Sequence, residues 1–135
     1  MAKISILGGG SWGIALAVLL HNNGHQVCVW SALEKELNML RENHEHNMLP
    51  GVKLADDIEF TGDCKEAASD KDLLVMAVAS SFTRATAHRF QTYVAPGQMI
   101  VNVAKGIEES TLMTLSEIIE QEIPQAQVAV LSGPS

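Results

Sequence analysis

The sequence is poor in several things at once, and each shortage removes a class of function. Only 4% of its 135 residues are aromatic. With 47% hydrophobic residues, the core must therefore be built mainly from Leu, Val, Ile and Ala, as in an α/β domain. Positive charge is scarce: nine Lys and Arg against sixteen Asp and Glu give a net charge of −7. Nucleic acid and anionic membrane surfaces are poor partners for such a chain. No run is long and apolar enough to span a bilayer, so membrane insertion is not expected. The opening MAKISILGG does not read as a signal peptide, because its first apolar run is short and leads straight into glycines. Two cysteines, Cys28 and Cys64, make no disulfide framework and fit reduced thiols in a cytoplasmic protein. No Ser/His/Asp or Cys/His arrangement supports covalent catalysis. His44, Glu45 and His46 share a polar loop without further ligands at metal-binding spacing, so no metal site is expected. Repeats, low-complexity tracts and domain linkers are lacking too.

What the chain does have is concentrated at its start. Ile4-Ser5-Ile6-Leu7 reads as a short buried strand. Gly8-Gly9-Gly10-Ser11-Trp12-Gly13 fits G-x-G-x-x-G. A helix follows from about Ser11 to Asn23, with Gly24 as its stop. In this setting Gly8 turns the chain out of the strand. Gly10 leaves room for main-chain N–H groups to close on a pyrophosphate, and Gly13 lets helix and strand pack closely. The positive end of the helix dipole would face the phosphates. The motif is weak alone and much stronger between a strand and a helix.

The remaining pattern alternates. Strands are predicted at Gln26–Trp30, Ile58–Thr61, Leu73–Val78, Met99–Val103 and Gln127–Leu131, the last also taken as buried. Helices are predicted over Leu33–His44, with Leu33, Leu37 and Leu40 inward and Glu34, Lys35, Glu36, Arg41 and Glu42 mostly in water. Others are expected at Glu66–Ser69, at about Ser81–Tyr93 with Phe82, Ala85 and Phe90 inward, and at about Thr111–Glu122. The last places Leu112, Leu115, Ile118 and Ile119 together, and Thr114–Glu117 fits a capping box. Such alternation predicts an α/β, doubly wound, mostly parallel Rossmann sheet of order 3-2-1-4-5-6 with helices on both faces.

Candidate site residues fall at the C-terminal ends of these strands. Lys105 directly follows a strand; a cation there suits a phosphate or a developing alkoxide, and an ordinary solvated lysine fits the position equally well. At the end of the second strand, where an acidic residue commonly meets the adenosine ribose, stand Ser31 and Ala32; Glu34 comes late and Lys35 is the nearest cation. NAD and NADP therefore remain alternatives, with NADP tolerated. Phe82 follows the fourth strand and either walls the cofactor or packs in the core, the latter favoured by spacing. Arg84 is a phosphate partner or, by default, a surface helix residue. Trp12 is a core anchor or a neighbour of the pyrophosphate.

Taken together, GGGSWGIALA, VNVAKGIE around Lys105, the SEIIEQ helix and the closing VLSGPS resemble the N-terminal domain of the bacterial NAD(P)-dependent glycerol-3-phosphate dehydrogenases, in the same order and over residues 1–135. The resemblance implies reversible reduction of dihydroxyacetone phosphate to sn-glycerol 3-phosphate for phospholipid synthesis. It implies contacts to the dinucleotide from Ser11, Trp12, Ser31, Ala32 and Phe82, and contacts to cofactor and substrate from Lys105. Gly133 and Ser135 would approach the substrate phosphate. The proton donor and acceptor would be a lysine of a helical C-terminal domain absent from this chain, so the 135 residues alone should bind cofactor weakly and turn over little. A homodimer of the full-length form is compatible with this. The chain departs from the family pattern at Gly9 (usually alanine), at Ala79 (often proline) and at Ser31-Ala32, which lacks a basic or polar pair. Two other readings stand beside it: a related two-domain dehydrogenase with another hydroxy acid or sugar nucleotide as substrate, and a dinucleotide-sensing module without turnover.

Overall fold

The computed structural model describes residues 1–131. Six strands, β1 (Lys3–Leu7), β2 (Gln26–Trp30), β3 (Glu59–Thr61), β4 (Leu73–Met76), β5 (Met99–Asn102) and β6 (Gln127–Val130), form one sheet in the order β3-β2-β1-β4-β5-β6. All five pairings are parallel. Five helices connect them: α1 (Ser11–Asn22), α2 (Glu34–Asn43), α3 (Cys64–Ala68), α4 (Thr83–Phe90) and α5 (Leu115–Glu122).

Period-two alternation assigns each strand residue to a face. Ile4, Ile6, Val27, Val29 and Val75 join Ile14, Ala17 and Leu40 beneath α1 and α2. Leu7, Trp30, Leu74, Met76 and Ile100 join Ala67, Ala87, Phe90 and Ile119 beneath α3, α4 and α5. Trp30 meets Phe90 edge-on, with ring centroids 5.0 Å apart. The one polar residue inside β1, Ser5, donates its Oγ hydrogen to the carbonyl of Ala67 at 2.5 Å and so costs the core little.

Local chemistry sets the helix ends. The α1 helix closes in a Schellman motif: Gly24 N–H donates to the carbonyl of His21 and His25 N–H to that of Leu20. Asp63 caps α3 by accepting from Lys65 N–H at 2.9 Å. Thr114 and Glu117 make the expected capping box at the start of α5. That box also corrects the predicted helix over Thr111–Glu122. An N-cap has extended backbone, here φ −67 and ψ 159 at Thr114, so no helix can run through it. The segment before it is an antiparallel bridge between Ile107 and Thr114, and Leu112 sits at φ 61, 73% exposed, away from Leu115, Ile118 and Ile119.

Three other inward assignments change. Leu33 is the N-cap of α2 rather than its first buried position and is exposed, whereas Leu37 and Leu40 are buried. Ser80–Phe82 form a single 3-10 turn before α4, which turns Phe82 outward at 62% exposure. Ala85 is exposed and only Phe90 of the expected trio is buried. The last strand, β6, pairs on one side only among the described residues, and its Val130 is exposed rather than buried.

Main chain meets main chain where β1 joins α1. A Cβ built on Gly13 would strike the carbonyl oxygen of Gly8 and lie 3.3 Å from Ile6 Cγ2. Alanine normally favours a helix over glycine by about 1 kcal/mol. Here the sign reverses, because main chain cannot move aside as a side chain can. Gly13→Ala is expected to lower unfolding free energy by about 1–3 kcal/mol or more, read as a drop in the urea midpoint; a raised midpoint would contradict this packing.

Candidate functional site

Strand order reverses between β1 and β4, where the chain leaves β1 toward one face and β4 toward the other. Three turns meet at this crevice. The first, Gly8–Gly10, leaves β1 with Gly8 at φ 138, and a Cβ there would lie 2.9 Å from the main-chain carbon and oxygen of Ala77. Both the backbone angle and the contact demand glycine. The turn after β4 is thereby held against the turn after β1. The third, after β5, is shaped by Asn102, which is buried. Its Nδ2 donates to the carbonyl of Ala104 at 3.0 Å and its Oδ1 accepts from Ala104 N–H at 3.2 Å. The chain then passes Lys105 to Gly106, where a Cβ would lie 3.4 Å from Ser80 Cβ. Lys105 thus stands on a loop that touches the Ser80–Phe82 turn.

Gly10 is the N-cap of α1 and supplies no side-chain cap; the first turn carries no acidic residue. Among the described residues, the amides of Ser11, Trp12 and Gly13 donate to no protein acceptor. A Cβ on Gly10 would meet nothing within 4 Å. The main chain therefore leaves three N–H groups without a protein acceptor at the positive end of a helix, two of them on the exposed Ser11 and Trp12 and the third on the buried Gly13, an arrangement that suits an anion such as a diphosphate. Ser11 and Trp12 are exposed beside it, Trp12 at 52%, so Trp12 is no core anchor. Lys105 is exposed and makes no ion pair or side-chain hydrogen bond among the described residues. Gly8, Gly10, Ser11, Trp12, Gly13, Phe82 and Lys105 thus all lie on or beside the turns at the C-terminal edge of β1, β4 and β5, while Gly133 and Ser135 lie outside the described residues.

The corner at the end of β2 holds a residue the sequence did not single out. Ser31 is buried and continues the ladder through Ser31 N–H to the carbonyl of Thr61. Its hydroxyl accepts from Leu33 N–H at 3.0 Å and donates to Glu36 Oε1 at 2.7 Å. Glu36 is in the first turn of α2 and reaches back over the glycine turn. Ala32 beside it is exposed. A hydroxyl at the strand end followed five residues later by a carboxylate was the only available sign of this contact.

Arg84 is neither a phosphate partner nor a free surface residue. Its Nε and Nη2 donate to both oxygens of Glu108, at 2.8 and 2.9 Å. Its Nη1 donates to Gln121 and Glu122, at 2.6 and 2.7 Å. This clamp ties the loop that carries Lys105 to α4 and α5. In the polar loop His46 Nδ1 accepts from Met48 N–H and Glu45 pairs with Lys53, while His44 stands edge-on to Phe60 with its buried Nδ1 unpartnered among the described residues. Burial pushes the Cys28 thiol up to about 11, so it is no nucleophile at neutral pH.

This sheet, with its glycine turn at the reversal of strand order, defines a Rossmann-type dinucleotide-binding fold. The family described as NAD-dependent glycerol-3-phosphate dehydrogenase N-terminus matches residues 3–135, and the chain belongs to it. It is 56% identical to the glycerol-3-phosphate dehydrogenase (NAD(P)+) of Agathobacter rectalis and 41% identical to that of Bacillus subtilis, in each case over all of this chain and 40% of the relative. Among solved structures, a glycerol-3-phosphate dehydrogenase from Coxiella burnetii superposes with TM-score 0.89 at 26% identity, over 98% of this chain and 41% of the other. The chain spans about two fifths of the length of these relatives. No described helix is long and apolar enough to cross a membrane.

The clamp has a pH signature. Arg84, and after it Thr111, hold the Glu108 carboxyl at about 2, below its ordinary 4.5. A depressed carboxyl stabilises the fold above its unfolded value and ceases to do so as pH falls through the folded one. The difference in urea midpoint between wild type and Arg84→Ala should therefore be constant from neutrality to about pH 4.5 and shrink on further acidification toward about 2. A difference that grows in acid would refute the pairing.

Proposed function

We propose that this chain is the cofactor-binding part of an NAD(P)-dependent sn-glycerol-3-phosphate dehydrogenase, which interconverts dihydroxyacetone phosphate and sn-glycerol 3-phosphate for phospholipid synthesis. The observation that carries the reading is the uncapped start of α1, where three amides lack a protein acceptor among the described residues beside the open space at Gly10. Membership of the family over residues 3–135 supports the choice of substrate. Two free thiols suit a cytoplasmic setting.

In this reading Gly8, Gly10 and Gly13 shape the cradle, and the amides of Ser11, Trp12 and Gly13 bind the pyrophosphate. Ser31 and Ala32 lie toward the adenosine end. Phe82, turned outward from the β4 loop, walls the nicotinamide half. The nicotinamide, when bound, supplies or accepts the hydride exchanged with the substrate carbon. The Lys105 ammonium draws in the phosphorylated substrate and stabilises the negative charge that develops on its carbonyl oxygen. Gly133 and Ser135 contribute to the substrate phosphate site, and the proton comes from a lysine beyond residue 135. A redox sensor has no need of a free cation at the substrate edge, so Lys105 favours the enzyme over that alternative.

Gly10 allows a clean test. Its backbone, φ −73 and ψ 177, is open to any residue, and a side chain there would enter only the proposed ligand space. Calorimetric titration with NADH should show Gly10→Val weakening binding by about tenfold or more with only the small fall in thermal midpoint that a poorer N-cap brings, while Lys105→Ala leaves NADH binding little changed. Undiminished binding by Gly10→Val would remove the cradle, and equal losses in both variants would remove the separate role of Lys105.

A further inference from the structure

This inference rests on the dinucleotide reading above. We infer that Glu36 reads the 2′ position of the adenosine ribose and makes the site favour NAD over NADP. The carboxylate does not come from the strand end, where such an acid usually stands. It is delivered from the first turn of α2 and held there by the Ser31 hydroxyl, at 2.7 Å. That hydroxyl accepts from Leu33 N–H and gives its one hydrogen to Glu36, so it has none left for a phosphate.

The position of the carboxylate over the glycine turn depends on Gly9. A Cβ on Gly9 would lie 2.5 Å from Glu36 Oε1 and 3.1 Å from its Cδ. The acid occupies the room that a side chain at the second residue of the turn would fill. Gly9 is thus a glycine for a reason separate from those of Gly8, Gly10 and Gly13: it admits Glu36. Among the described residues, Glu36 Oε2 accepts no hydrogen bond. An ionised carboxylate offers only acceptors. A ribose 2′-hydroxyl is a donor and can satisfy it. A 2′-phosphate brings further negative charge and acceptors, so it must expel the carboxylate or bind beside it at a Coulombic cost.

The arginines that could offset this are engaged elsewhere. Arg84 is in its clamp, Arg41 donates to the carbonyl of Phe60 at 3.0 Å, and Arg89 lies 5.1 Å over the Trp30 ring. These are the chain's three arginines. Among the lysines, Lys35 adjoins Glu36 in sequence and is exposed.

The test is calorimetric titration of the chain with NADH and with NADPH, for wild type, Glu36→Gln, Gly9→Ala and the double variant, each checked for its thermal midpoint. Wild type should bind NADH more tightly than NADPH by about tenfold or more. Glu36→Gln should reduce that ratio by about tenfold, chiefly through gained NADPH affinity. Gly9→Ala should move the ratio the same way by displacing the carboxylate, and should add little in the double variant. A ratio that Glu36→Gln leaves unchanged, or a wild type that prefers NADPH, overturns this inference and leaves the dinucleotide reading standing. A wild type that binds neither dinucleotide overturns both.

Discussion

Helix α1 rests on the turn it leaves, with the backbone of Gly13 against the carbonyl of Gly8. The start of α1 at the C-terminal edge of the sheet depends on that contact. Any side chain at Gly13 would lift the helix start, and with it the amides of Ser11, Trp12 and Gly13, from the crevice. Ile14 and Ala17 on the same helix could then no longer reach Ile4, Ile6 and Val29. The contact of Gly8 with Ala77 extends the constraint to β4, so the two halves of the sheet are fixed relative to one another at the point where their connections diverge.

A second constraint, of a different kind, governs the loop after β5. Main-chain proximity fixes the glycine turn; charge fixes this loop. Arg84 gathers Glu108 from the loop and Glu122 from α5 around one guanidinium, and Thr111 donates to Glu108 at 2.6 Å. With Asn102 holding the other end through Ala104, the segment carrying Lys105 is tied on both sides. The lysine side chain itself is exposed. An acidic chain thereby presents, at the C-terminal edge of the sheet, a lysine that pairs with no carboxylate among the described residues.

Much of this fold was legible in the sequence because it follows from short-range regularities. Alternation placed the strands to within one or two residues, and alternating elements implied a parallel sheet whose order the structure shows. The Schellman end of α1 and the capping box of α5 were written in Gly24 and in Thr114–Glu117. What escaped lies in first turns and in contacts distant along the chain. Leu33 and Phe82 stand at helix entries, where helical periodicity does not yet operate, and Leu112 precedes its helix altogether. Arg84 meets partners 24 to 38 residues away, which no local pattern encodes. Glu36 was assigned to the wet face of α2 because a helical wheel cannot show a side chain folding back over the turn that follows another strand.

The two tryptophans end in opposite surroundings. Trp30 is sealed in the core at 1% exposure, under Arg89 and against Phe90, whereas Trp12 stands half in water at the mouth of the crevice. The molecule thus carries two indoles with separable optical behaviour. Emission from Trp30 is shielded from aqueous quenchers and reports the integrity of the core. Emission from Trp12 is open to iodide or acrylamide and reports what approaches the first βα turn. Unfolding and occupancy can therefore be followed as distinct signals in a single spectrum, without any attached label.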